Sequence, residues 1–132
     1  MRMPQYMYIK IATALNSQKK AVNGSNILFL GVAYKPNIND SRESPALEII
    51  DITVHKGGKV TYHDPYIPTV KTNEGNEFNS VELSQEIINQ ADCIVLTTNH
   101  KNLDLNLIKS HAKLIVDMRN MIKEVGEKVV KL

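Results

Sequence analysis

Three short runs of wholly apolar residues, at 27–30, 93–96 and 114–116, recur along the chain, and each halts at a glycine or a polar residue. Runs of this length without alternation predict strands covered on both faces, as in parallel sheets. A fourth stretch, 59–62, alternates and stops at His63-Asp64-Pro65, where proline prevents further ladder pairing. Helical spacings lie between these runs. Ser44 as N-cap and Pro45 in the first turn open a helix along which Leu47, Ile50 and Val54 share a face, until Gly57 and Gly58 end it. Two shorter helices are predicted over 83–89 and 103–109. Residues 66–80, with Pro68, Gly75 and several Asn and Thr, predict an irregular excursion.

Strands alternating with helices require right-handed crossovers, so the pattern predicts a Rossmann-like, three-layer α/β domain with a mostly parallel sheet. Ligands of such sheets bind outside the carboxyl ends of the strands. Segments 31–42, 63–64, 97–100 and 117–120 are therefore expected to converge on one edge. Ahead of the sheet, Met3, Met7, Ile11, Ala14 and Leu15 recur at helical spacing and predict an amphipathic helix from 4 to about 18, closed by Asn23-Gly24-Ser25. The doubly wound pattern gives its stripe no obvious place. Packing on another domain and packing on this domain's own core both remain open.

The chain has 132 residues, enough for one core and too few for a complete two-domain enzyme. Sixteen Lys and Arg against 14 Asp and Glu leave a charge of +2, far from the basic stripe that nucleic-acid binding requires. The single cysteine, Cys93, allows no internal disulfide. No signal-peptide pattern or membrane-length apolar run occurs, so a cytoplasmic location is expected, with neither nucleic acid nor membrane as partner.

The loop 31–46, GVAYKPNINDSRESPA, is the most informative stretch. It holds only Gly31 before the helix, whereas a G-x-G-x-x-G fingerprint would bring closely spaced glycines to a pyrophosphate. Lys35, Arg42 and the helix start at Ser44 are three sources of positive potential that suit a diphosphate or nucleotide-sugar; a solvated basic loop is the alternative. His63-Asp64 before Pro65 reads as a turn. His100 and His111 offer no ligand spacing, and no metal is expected.

LGVAYKPNINDSRESPALEII, YHDPYIP at 62–68, ADCIVLTTNH at 91–100 and IVDMRN at 115–120, in this order, resemble the C-terminal UDP-sugar-binding domain of the UDP-glucose/GDP-mannose dehydrogenase family. MPQYMYIKIATALN resembles the end of the long central helix of the subgroup acting on UDP-N-acetylhexosamines, UDP-N-acetyl-D-mannosamine among them. The resemblance divides the chain into the end of a dimerisation-type helix, 1–22, and a UDP-sugar-binding domain, 23–132. It implies a parent enzyme of polysaccharide biosynthesis, an oxidoreductase that uses NAD to convert a sugar C6 hydroxyl to a carboxylate through a covalent cysteine adduct. Neither the NAD-binding G-x-G-x-x-G nor a G-G-x-C-x-P-K-D-like cysteine segment occurs in these residues. The chain alone is expected to be inactive and to bind no NAD, and a piece of a longer enzyme and a short gene product remain equally open.

The resemblance implies UDP-sugar contacts for Tyr34, Lys35 and Arg119, and an approach by Arg42 to the NAD of a domain not contained here. Asp40, Ser44 and Asp117 read as structural support, because carboxylates and hydroxyls at loop starts accept backbone N–H bonds. Cys93 lies inside a predicted strand and reads as a core thiol. Asn99 stands where the family often has an acidic residue, and Asn37 and Asn39 thin the loop's usual acidity. The implied partners are a UDP-sugar, the remaining domains and, in the parent, a homo-oligomer. Two other readings stay open: a dinucleotide module, with Asp64 contacting a ribose, and a non-catalytic assembly module using the first helix. Against the dinucleotide module, Asp64 lies 33 residues after Gly31 rather than the usual ~20.

Overall fold

The apolar runs become the strands of one sheet. The computed structural model describes residues 2–32, 44–98, 100–101, 103–123, 126 and 128–131. In chain order its elements are α1 (Met3–Ser17), β1 (Asn26–Leu30), α2 (Pro45–His55), β2 (Lys59–His63), β3 (Thr69–Lys71), β4 (Glu77–Asn79), α3 (Gln85–Gln90), β5 (Cys93–Leu96), α4 (Leu105–His111), β6 (Ile115–Asp117) and β7 (Val129–Lys131). Five strands pair in the order β2-β1-β5-β6-β7, all parallel, with Phe29 in register with both Tyr62 and Val95, and Val95 with Val116.

Side chains alternate across this sheet, which is why runs without a polar residue can form it. Ile27, Phe29, Cys93, Val95 and Val116 face α1 and α2, whereas Leu28, Leu30, Ile94, Leu96 and Ile115 face the side of α3 and α4. Two cores thus enclose the sheet, giving the three-layer Rossmann-like architecture that the pattern predicts. Ser44 Oγ caps α2 by accepting from Ala46 N–H at 3.3 Å, and Gly57, at φ +90°, follows the helix's last turn.

Of the two placements open to the first helix, the structure has it on the domain's own core: Ile11, Ala14 and Leu15 are buried among residues of the sheet and α2. Met3, Tyr6 and Ile9 remain exposed. The sequence pattern errs in two places. The segment 66–80 is not wholly irregular, because Val70 and Phe78 pair across an antiparallel hairpin of β3 and β4 whose turn contains Gly75 at φ +88°. Asp51 of α2 ties this hairpin down, accepting from Asn76 Nδ2 at 2.8 Å and from Glu74 N–H at 3.4 Å. The second omission is β7, whose three residues are half-buried and too few to carry a periodic signal.

Candidate functional site at the carboxyl ends of the strands

From β1 the chain moves outward to β2, then returns to the other side of β1 to form β5, so the strand order reverses between β1 and β5. At such a reversal the loops leaving neighbouring strands run apart and open a crevice. The two strand ends are interlocked there. Thr97 Oγ1 donates to the carbonyls of Leu30 and Gly31, and Thr97 N–H donates to Leu30 at 3.1 Å. Gly31 has φ +92°, and a Cβ placed on it would meet Thr98 Cβ at 2.5 Å.

Beside this junction lies a cleft of about 300 Å³. It is lined by Ser44, Pro45, Ala46 and Ile49 from the start of α2, by Thr97, Met118 and Arg119 from the ends of β5 and β6, and by Met7 of α1. The α2 N-terminus directs its partial positive charge here, and Arg119 is exposed, so the cleft combines an apolar floor with two sources of attraction for an anion. Asp117 builds the turn that carries Arg119. It accepts from the backbone N–H groups of Arg119 and Met121, each at 3.1 Å, and of Ile122 at 2.8 Å, and from Lys131 Nζ at 3.0 Å. Burial alone would raise the Asp117 pKa, but these donors outweigh it and hold the carboxyl below the usual aspartate value.

At the ends of β2 and β5 the fold unites two residues that sequence reasoning treated separately. Asp64 Oδ2 accepts from His100 Nε2 at 3.0 Å and from Val32 N–H at 2.8 Å, and Oδ1 accepts from Tyr66 N–H at 2.8 Å. Both side chains are fully buried, and the Tyr66 and His100 rings lie 5.0 Å apart. The sequence predicts a turn at His63-Asp64-Pro65, and the Asp64–Tyr66 bond makes it an Asx turn. His63 turns elsewhere, its Nδ1 donating to the Val81 carbonyl at 2.8 Å. A signal was available for the pair: Asp64 directly follows β2 and His100 lies in the segment after β5, and both of these strands flank β1.

Tyr34, Lys35, Asp40 and Arg42, with Asn37, Asn39 and Asn99, lie outside the described residues. Ser44 and Arg119 line the cleft, and Asp117 supports the turn that carries Arg119. Cys93 is fully buried in β5, and burial, with the charge of Asp92 adding to it, pushes its thiol up to about 12. No three His, Cys, Asp or Glu side chains converge as metal ligands among the described residues. Lys131, Met7 and the Asp64–His100 pair are the contributors that the sequence reading missed.

Residues 28–124, more than half of the chain, match the family model described as the UDP-glucose/GDP-mannose dehydrogenase family, UDP binding domain. A UDP-glucose 6-dehydrogenase of Rickettsia bellii is 35% identical over 91% of the chain and 29% of its own length. A UDP-N-acetyl-D-mannosamine dehydrogenase of Methanococcus vannielii is 29% identical over 92% of the chain and 28% of its own length. The solved structure of a UDP-D-ManNAc dehydrogenase from Pyrococcus horikoshii superposes with a TM-score of 0.80 at 28% identity, covering 98% of this chain and 30% of that one. The chain thus spans about three-tenths of the length of the curated relatives it matches. With a parallel sheet reversing beside a cationic cleft, and a family match running through β1, β5 and β6, the chain belongs to the UDP-glucose/GDP-mannose dehydrogenase family, in the region of its UDP binding domain.

Proposed function

We propose that this chain is the nucleotide-sugar half-site of an NAD-dependent UDP-sugar 6-dehydrogenase, binding the UDP moiety in the cleft between α2 and the β6 turn. The observation that carries the reading is that Arg119 and the α2 N-terminus line one cleft at the strand reversal. A planar guanidinium suits bidentate recognition of phosphate or stacking on uracil. In the same reading Lys35 and Tyr34 reach the UDP-sugar from the first loop, and Arg42 faces the NAD of another domain. NAD, when bound to the whole enzyme, accepts the hydride; the chain's own residues bind and orient the nucleotide.

The described residues do not fit a dinucleotide of their own. The space that a glycine opens at the end of β1 is filled by Thr98 rather than left for a pyrophosphate, and Val32 N–H is committed to Asp64. Asp64, the one carboxylate placed for a ribose, is buried and occupied by Val32, Tyr66 and His100. Nor does Cys93 fit a nucleophile, since its thiol is buried and protonated at neutral pH. The full activity, oxidation of the C6 hydroxyl to a carboxylate in a cytoplasmic homo-oligomer, therefore rests on parts that these 132 residues do not contain.

An NMR titration with UDP, then with NAD at equal concentration, tests the reading. UDP is expected to shift resonances around Lys35 and Arg119 with a dissociation constant in the high micromolar to millimolar range, about −4 to −6 kcal/mol. Lys35→Ala and Arg119→Ala are each expected to weaken binding without altering the fold. A response to NAD alone would favour the dinucleotide module. Silence to both ligands, or unchanged curves for both variants, would overturn the assignment.

A further inference from the structure

β7 supplies one side chain to the turn that carries Arg119. Lys131 is the register partner of Asp117 across the β6–β7 ladder, so its stem starts beside that carboxylate. Its ammonium donates to Asp117 Oδ2 at 3.0 Å, to Asn120 Oδ1 at 3.1 Å and to the Ile122 carbonyl. An ammonium has three protons, and these three acceptors use them all. The acceptors span the turn: Asp117 at its start, Asn120 in its middle at φ +55°, and Ile122 at its end.

Asp117 is fully buried at its side chain, so the carboxylate needs a compensating charge, and Lys131, one-third exposed, is the cation that reaches it. Arg119 lies inside the segment thus clamped, its side chain is exposed, and among the described residues the bond that holds it is that of its backbone N–H to Asp117. A second cleft, lined by Asp117, Met118, Arg119, Asn120 and Lys131, adjoins the first through Met118 and Arg119. The clamp and the ligand wall are therefore two faces of one strip of backbone. Lys131 lies beyond residues 28–124, outside the span that the family model matches.

We propose that Lys131 is a positioning residue for nucleotide binding, fixing the Asp117–Ile122 turn so that Arg119 is presented to the cleft. The inference rests on the function proposed above. It ascribes to β7 a task beyond extending the sheet: closing the support of the binding arginine from behind. Val129 and Val130 pack on opposite cores and hold the strand independently of the lysine. Removing the ammonium alone should therefore leave β7 paired.

The test uses Lys131→Met, which keeps most of the stem, Lys131→Arg, which keeps the charge, and Arg119→Ala. In the free protein, Lys131→Met is expected to speed amide hydrogen exchange at Arg119, Met121 and Ile122 and to leave the partners of β1 and β5 unchanged. In UDP titrations the same variant is expected to weaken affinity about three- to tenfold in the Arg119 protein and to have no further effect in Arg119→Ala, since coupled residues are non-additive. Lys131→Arg is expected to recover most of the affinity.

An equal loss in both backgrounds, or unchanged affinity with Arg119 intact, would overturn the positioning role. Unchanged exchange in Lys131→Met would overturn the clamp itself. If the free-protein exchange responds while the Arg119 protein ignores UDP, it is the proposed function that fails, and the positioning of a nucleotide ligand falls with it.

Discussion

Asp117 is the residue on which most of the described site geometry converges. Its carboxyl is held below the ordinary aspartate value in the fold, so the ionised form stabilises the native state above the unfolded-state pKa, and that contribution disappears as pH falls through the lower, folded value. Acid loss of stability is thus expected below about pH 4. Urea melts between pH 6 and pH 2.5 check it: Asp117→Asn should be less stable at pH 6 and should show a shallower decline on acidification. A parallel decline would remove Asp117 from the account. From the sequence, Asp117 was legible as a loop-start carboxylate accepting backbone bonds. Lys131 was not, because a lysine fourteen residues downstream has no periodic or motif relation to it, and only the β6–β7 register joins them.

At the scale of elements, strong patterns were legible and weak ones were not. The sheet's central strands could be read because burial on both faces leaves no polar position, and α2 because Ser44, Pro45 and the paired glycines punctuate it. The hairpin of β3 and β4 escaped because each strand has three residues and only the central one turns inward; Val70 and Phe78, with Gly75 between them, were the available signal. The first helix was read correctly as a helix, but its partner could not be read, since an apolar stripe does not specify what it packs on. In the structure Ile11 is fully buried against the core shared by α2 and the sheet. Ile11→Ala is expected to lower unfolding stability by about 2–5 kcal/mol in chemical denaturation. A change under about 0.5 kcal/mol, the size of an ordinary surface substitution, would show that α1 is not integral to this core.

For the molecule as a whole, the decisive feature is the point where the strand order reverses. The four loop segments expected at one edge of the sheet include those now placed around the cleft, but the contact of Asp64 with His100 spans 36 positions and needed the strand order to reveal it. Gly31 joins the two halves of the sheet at this point. Gly31→Ala would impose a left-handed backbone on an L-residue and drive a methyl group into Thr98, so a loss of about 2 kcal/mol or more is expected, measured by denaturant unfolding. Stability within 0.5 kcal/mol of the unsubstituted chain would refute the interlock.

The same open sheet has two outer rims, and a rim with unpaired backbone groups is where identical chains add to one another as strands. On the β2 side the Tyr62 carbonyl already accepts from Val81 N–H, and Lys59 places an exposed charge at the strand's first position. On the β7 side Lys131 turns back over Asp117, with its ammonium bonded inside the fold. Among the described residues β2 has five positions and β7 three, so neither rim offers a long bare ladder to a second copy. Very short edge strands are one of the ways in which a sheet blunts its rim, so the three described residues of β7 give a second copy little to pair with.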